Sequence, residues 1–200
     1  VYGEPEQIPT PETAEKLPLS PYGVSKLAGE FYLNYYRTVR GLPYVALRYG
    51  NVFGPRQDPH GEAGVVAIFS NRLLGGDTLT VFGDGEQTRD YVFVEDVVSA
   101  NLFVSDVAIP DSQGIDAVAF NVGTGVGTSV NRLADVLEDV AGVSPGRDHQ
   151  PPRAGELRHS ALDCASLRSL GWTPETDLET GLRKTFLYIE AQAGGTGDGD

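Results

Sequence analysis

Ser20-Pro21-Tyr22-Gly23-Val24-Ser25-Lys26 opens the first long helix of this 200-residue chain, and the reading of the fold grows from it. Ser20 is a favourable N-cap, accepting a hydrogen bond from a backbone N–H one turn on, and Pro21 suits the first helical position. Gly41-Leu42-Pro43 is a stop signal, so helix is expected as far as Gly41. Val24, Leu27, Ala28, Phe31, Tyr35 and Val39 form an apolar stripe along one side. Tyr22 and Lys26 are four residues apart and share a face at the N-terminal end. A phenol with a pKa of about 10 is a poor base at neutral pH, but a nearby ammonium favours its ionised form. Lowering that pKa by about three units asks for about 4 kcal/mol, within reach of two positive charges in a shielded cleft. The spacing alone more often marks a core tyrosine beside a solvated lysine, so the surrounding sequence has to decide.

Forty per cent hydrophobic residues over this length is ample for one packed domain. No stretch approaches the roughly 20 apolar residues of a membrane span, and the first residues do not resemble a signal peptide. The single cysteine, Cys164, excludes an internal disulfide framework and a cysteine-rich metal site, and a cytoplasmic setting is expected. Twenty-eight acidic against fifteen basic residues give a net charge of −13, which argues against nucleic acid as a partner. The acidic excess is spread along the chain, fitting either ordinary solubilising charge or a salty cytoplasm. The chain starts on Val1-Tyr2-Gly3 and contains no methionine, a mid-pattern beginning that suggests a fragment.

Residues 4–19 are rich in Pro, Glu and Thr and read as a loop delivering the chain to Ser20. After the helix, Pro43-Tyr44-Val45-Ala46-Leu47-Arg48-Tyr49 reads as a strand, ending at the turn-prone Gly50-Asn51-Val52-Phe53-Gly54-Pro55-Arg56. Helix then strand at this spacing fits half of a parallel βαβ unit. Ligands of open parallel sheets bind beyond the carboxyl ends of the strands, which places Asn51 either at a ligand or simply in a turn. Further helices are expected over 64–74, 95–107, 129–141, 165–170 and 178–191. In the second of these Val97, Val98, Ala100, Leu102 and Phe103 are taken as the buried side. Strands are expected over 79–82, 89–94 and 118–122, and 150–156 reads as a loop. Gly123-Thr124-Gly125-Val126-Gly127 follows a strand and precedes a helix, the setting of a dinucleotide loop. Its spacing is G-x-G-x-G, not G-x-G-x-x-G, and it reads as a tight strand-to-helix turn. The last residues, 194–200, are Gly-rich and expected to be disordered.

Four blocks now stand in a fixed order: Pro21-Tyr22-Gly23-Val24-Ser25-Lys26, Leu47-Arg48-Tyr49-Gly50-Asn51-Val52-Phe53-Gly54-Pro55-Arg56, Thr80-Val81-Phe82-Gly83-Asp84-Gly85 with Arg89-Asp90-Tyr91-Val92, and Phe120-Asn121-Val122-Gly123-Thr124-Gly125. In these, over residues 1 to about 190, the chain resembles the NAD-dependent epimerase/dehydratase family of extended short-chain dehydrogenase/reductases. The stretch from Gln57 to Val66 is most similar to the UDP-glucose 4-epimerase group. The resemblance implies an α/β fold: the C-terminal part of an NAD(P)-binding Rossmann domain over 1–54, and a small nucleotide-sugar-binding lobe over 55–192. Strand 118–122 would return to the Rossmann sheet, and 193–200 would be a disordered tail.

The same resemblance implies roles. Tyr22 would be the catalytic acid/base, and Lys26 would hold the nicotinamide ribose of NAD while depressing the phenol's pKa. Tyr49 would line the nicotinamide pocket. Asn51 would touch the phosphates of a UDP-sugar, and Phe82 with the Thr80 backbone would take the uracil. Arg89 and Arg153 would clamp the diphosphate and Glu156 would meet the ribose; guanidinium forks suit a diphosphate, although either arginine alone could be a solvated surface charge. The helix over 20–40 is similar to one that builds a family homodimer. The family opens on a Gly-rich loop and half a Rossmann sheet, with a catalytic Ser or Thr shortly before the Val-Tyr-Gly, so what is implied is the C-terminal portion of a 4-epimerase, not active alone. A nucleotide-sugar 4,6-dehydratase or decarboxylase, and a non-catalytic nucleotide-sugar-binding or dimerisation module, stand as alternatives.

Overall fold

The computed structural model describes residues 1–59, 64–108, 114–153 and 155–195. The first helix, α1 (Pro21–Arg40), starts and stops where its sequence says. The Ser20 hydroxyl accepts from the Gly23 N–H at 3.0 Å, and Gly41 closes the helix in a left-handed conformation that satisfies the Arg37 carbonyl. The strands and helices that follow are β1 (Ala46–Tyr49), β2 (Asn51–Phe53), α2 (Val65–Gly75), β3 (Leu79–Phe82), β4 (Thr88–Phe93), α3 (Val94–Asp106), β5 (Ala119–Val122), β6 (Gly127–Ser129), α4 (Val130–Ala141), β7 (Arg147–Gln150), α5 (Ala165–Ser169) and α6 (Leu178–Gly195).

Three strand pairs are parallel: β1 with β5, β2 with β4, and β3 with β7. Among the described strands only β6 runs antiparallel, against β4. Parallel pairing with helical connections is the α/β arrangement expected from the sequence. Strand β4 is the seam. Because successive side chains of a strand point to opposite faces, Tyr91 and Phe93 enter one core while Val92 enters another. The first core packs Phe53, Phe69, Leu133, Leu137, Leu182 and Phe186 between α2, α4 and α6; the second packs Val97, Ala100, Phe120, Val122, Leu167 and Trp172 against β1 and β5.

Several sequence expectations are corrected. Asn51–Phe53, read as a turn, is a strand because it pairs with β4 and Phe53 meets the rings of Tyr91 and Phe93. Strand β1 begins only at Ala46, and Val118 belongs to a short 3-10 turn ahead of β5. Strands β6 and β7 were not expected, since neither carries an apolar alternation. On α3, Val97 and Ala100 are buried, but Val98 and Leu102 are 54% and 64% exposed. The stripe on α1, expected only to be apolar, faces outward: Val24, Phe31, Tyr35 and Val39 are exposed, beside a hollow of about 440 Å³ lined by Ala28, Phe31, Tyr32, Tyr35 and Tyr36. Helix α6 includes Gly194, where disorder was expected; 196–200 of that tail lie outside the described residues.

Residues 4–19 are a loop, as read, but a pinned one. Arg48 is buried, donates to both Glu30 carboxylate oxygens and to Asp116, and reaches the Tyr2 hydroxyl and the Glu12 carbonyl. The Glu12 carboxylate accepts from the Asn121 N–H and from Ser166. Burial pushes the Tyr2 phenol up to about 12, which keeps it a neutral donor to Asn121. A buried guanidinium must be paired on several sides, and this set does so while fastening the N-terminal segment to β1 and β5.

Candidate active site

The expected site residues gather in two groups. The first is on α1. Its N-cap fixes the first turn, and Lys26 Nζ lies 5.1 Å above the centre of the Tyr22 ring. Tyr22 is 60% exposed, and Lys26 makes no ion pair among the described residues, so both polar ends are open to a ligand. Tyr49, the last residue of β1, is held from α3: the Asn101 amide donates to its hydroxyl at 3.0 Å, and Oδ1 accepts from it at 3.1 Å. The same amide donates to the Val97 carbonyl, which fixes its orientation.

The second group surrounds the end of β3. Thr80 and Phe82 share the half-open face of that strand, while Leu79 and Val81 are buried beneath. The Arg153 guanidinium lies 3.9 Å over the Phe82 ring. Arg89, near the start of β4, donates to Glu156 Oε1 at 3.2 Å and to the Thr88 carbonyl. The strand register sets Asn51 beside Tyr91, two residues from Arg89 and therefore on the same face. Burial raises the Tyr91 phenol to about 12. Thus Phe82, Arg89, Arg153 and Glu156 are brought together, with Thr80 and Asn51 on the adjoining strands. No hydrogen bond, ion pair or ring contact among the described residues joins this group to Tyr22 and Lys26.

The glycine-rich 123–127 turn holds no ligand position. Its amides are already taken by a carboxylate: Asp90 Oδ1 accepts from the Thr124 N–H and hydroxyl, and Oδ2 from the Gly125 and Leu162 N–H groups. A Cβ at Gly123 would stand 2.6 Å from Asp90 Oδ2, so glycine is there for the close approach. The spacing is right in giving a tight turn, but the turn leads from β5 into β6, with Gly127 already in that strand, and α4 starts only after Ser129.

Sequence reasoning missed two kinds of residue here. Asn101 carries no motif signal, because its role depends on α3 crossing the end of β1. Asp84 and Arg158 form an exposed two-pronged ion pair, Nη1 to Oδ1 at 2.7 Å and Nη2 to Oδ2 at 2.8 Å, across 74 residues of chain. Nothing local marks such a pair.

A family model for the NAD dependent epimerase/dehydratase family matches residues 1–123, which is more than half of the chain. This chain belongs to the NAD-dependent epimerase/dehydratase family. A UDP-glucose 4-epimerase of Mycolicibacterium smegmatis is 48% identical over 190 residues, covering 94% of this chain and 59% of its own length. The crystal structure of a UDP-glucose 4-epimerase from Thermotoga maritima with UDP-glucose superposes with a TM-score of 0.89 at 46% identity, over 96% of this chain and 60% of that one. The UDP-glucose 4-epimerase of Thermus thermophilus in complex with NAD gives 0.85 at 42% identity, over 94% and 60%. These likenesses give this family member the Rossmann-type architecture of the extended short-chain dehydrogenases. The chain spans about 60% of the length of these relatives.

Proposed function

We propose that this chain supplies the proton-moving pair and the nucleotide grip of a nucleotide-sugar epimerase of the UDP-glucose 4-epimerase type. The observation that carries this is the gathering of Phe82, Arg89, Arg153 and Glu156 at the end of β3. Two guanidiniums beside an aromatic ring and a carboxylate match, in kind, a diphosphate between a base and a ribose. On this reading Phe82 and the Thr80 backbone receive the uracil, Arg89, Arg153 and Asn51 hold the diphosphate, and Glu156 accepts from the ribose hydroxyls. Residues 55–192 then form mainly the substrate lobe, and 1–54 belongs with the cofactor side, joined by the β1–β5 pair.

The open ammonium of Lys26, the exposed phenol of Tyr22 and the fixed ring of Tyr49 suit the nicotinamide end of NAD. When bound, NAD supplies the acceptor and later the donor of the sugar's C4 hydride. The chain's own part is proton transfer. The Tyr22 phenolate oxygen takes the proton of the C4 hydroxyl and returns it after the sugar has presented its other face. The Lys26 ammonium, on the next turn of the same helix face, can donate to a ribose diol. That the similar proteins reported above are UDP-glucose 4-epimerases supports this choice over a dehydratase or decarboxylase. A cytoplasmic setting goes with this reading; no helix among the described residues is long and apolar enough to cross a membrane.

A homodimer through α1 belongs to the same proposal: Phe31, Tyr32 and Tyr35 form an exposed aromatic face of the kind that a second copy of the chain can cover. The grip is tested by titrating the chain with UDP in a calorimeter. Saturable one-to-one binding that Arg89→Ala weakens at least about ten-fold is expected, as for loss of a charge-assisted contact. Absence of binding would remove the proposal.

A further inference from the structure

The two residues that reach the proposed nucleotide site from the C-terminal side, Arg153 and Glu156, sit on a strap, 150–160, whose described residues include none of the buried core. Arg153 and Glu156 are not held there by apolar packing: Gln150, Pro151, Pro152, Arg153, Gly155 and Glu156 are all exposed. What ties the strap down lies at its ends. At one end, β7 pairs with β3, and the Gly83 N–H donates to the Gln150 carbonyl. At the other, the Thr88 N–H donates to the Arg158 carbonyl and the Ser160 N–H to the Thr88 carbonyl. Between these anchors Arg153 lies over Phe82 and Glu156 accepts from Arg89, and at the far anchor a side-chain clasp crosses to the β3–β4 turn: Arg158 to Asp84, with both prongs of the guanidinium engaged.

Asp84 is itself fixed. Its Oδ1 accepts from the Glu86 N–H, and its carbonyl accepts from the Asn131 amide, so the carboxylate is a stationary target. The turn that carries it runs directly on from Phe82. Arg158 thereby ties the strap's far end to the residues immediately after the aromatic ring over which Arg153 lies, and two positions beyond Glu156, which meets Arg89.

From this we infer that Arg158 is a positioning residue for nucleotide binding: through its clasp on Asp84 it holds the strap so that Arg153 and Glu156 face Phe82 and Arg89 before a ligand arrives. The inference rests on the nucleotide-sugar reading above. Among the described residues Arg158 makes no hydrogen bond or ion pair with those assigned to the ligand. An exposed ion pair contributes little to global stability, its two side chains here being 50% and 57% exposed. Pre-ordering a strap is a different matter, because the ordering cost of the strap is otherwise charged to ligand affinity.

Charge alone makes a different forecast, and the pair of variants separates the two. Removing a cation (Arg158→Ala) weakens binding of an anionic ligand on either view. Neutralising an anion (Asp84→Asn) strengthens it if only the field matters, and weakens it if the clasp matters; the asparagine still accepts from Glu86, so the turn itself survives. The test is UDP titration of the whole chain by calorimetry, with thermal unfolding of each variant alongside. Expected is a weakening of about three- to five-fold for Arg158→Ala, the most an exposed pair can supply, and a smaller weakening for Asp84→Asn. Arg158→Lys, which keeps the charge but not the fork, should recover part of the loss. Unfolding midpoints should move by no more than about 4 °C. UDP affinity that is unchanged in Arg158→Ala, or tighter in Asp84→Asn, overturns the inference while leaving the nucleotide site standing. A wild-type chain that does not bind UDP overturns both.

Discussion

Replacing Asp90 with asparagine tests how the 123–127 turn is built. The carboxylate is 1% exposed and receives four hydrogen bonds, from the Thr124 N–H and hydroxyl on one oxygen and from the Gly125 and Leu162 N–H groups on the other. An amide has one oxygen, so its NH₂ must face donors whichever way it is turned. In the less costly orientation the Thr124 hydroxyl rotates to accept, and the Thr124 N–H alone is left without an acceptor. An unsatisfied buried N–H costs about 1–3 kcal/mol, and the remaining bonds lose their charge assistance. The sum is about 3 kcal/mol, or about 6–12 °C in the unfolding midpoint of a chain this size. Urea denaturation followed by far-UV circular dichroism reads it directly. A loss smaller than about 1 kcal/mol would show that the turn does not depend on the carboxylate, and would reopen its amides as a place for a phosphate.

Other perturbations have equally definite outcomes. Gly54→Ala would place a Cβ 2.3 Å from Val94 Cγ1, at a backbone φ of +158°, and should cost about 1–3 kcal/mol in the same urea experiment. Phe31→Asp and Tyr35→Asp put charge on the exposed face of α1; sedimentation should find the parent chain as a dimer and the variants as monomers. Arg158 holds the Asp84 carboxyl well below the usual aspartate range, with the Glu86 N–H adding to the effect. A depressed carboxyl stabilises above its unfolded-state value and loses that contribution as pH falls through its folded one. Carbon-detected NMR titration should therefore find Asp84 among the last carboxyls to protonate, and Arg158→Ala should return it to ordinary behaviour.

The parts of this molecule legible in its sequence are those set by local rules. Ser20, Pro21 and Gly41 bound α1 because capping is a matter of a few neighbouring atoms, and Ser129 and Gly142 do the same for α4. The Tyr22–Lys26 contact follows from helical spacing alone. What could not be read depends on partners distant in the chain. Strand β7, Arg147-Asp148-His149-Gln150, is wholly polar and is a strand only because the β3 backbone lies beside it. Residues 4–19 have no periodicity, yet Glu12 and Tyr2 meet Arg48, Asn121 and Ser166 at separations of up to 154 residues. The outward-facing stripe of α1 shows the limit of such local rules: amphipathic spacing tells that one side is apolar, not what covers it.

The roles proposed for Arg89, Arg153 and Glu156 come from family resemblance, whereas their mutual placement required the fold. A single Arg or Glu in a loop is chemically mute until β3, β4 and the 150–160 strap converge. Asn101 and the Asp84–Arg158 clasp left no local trace at all, since each joins elements through one long-range contact.

The most direct trial of the proton-moving pair is the interconversion of UDP-galactose and UDP-glucose, followed by NMR of the sugar products. It would be run with NAD in an enzyme carrying this sequence over the full length of its relatives, with and without Tyr22→Phe. The expected result is conversion in the parent and a loss of at least about a hundred-fold in the variant, the usual worth of a positioned acid/base, with UDP affinity unchanged. Conversion by Tyr22→Phe at near the parent rate, or a product lacking the C6 hydroxyl, would contradict the assignment.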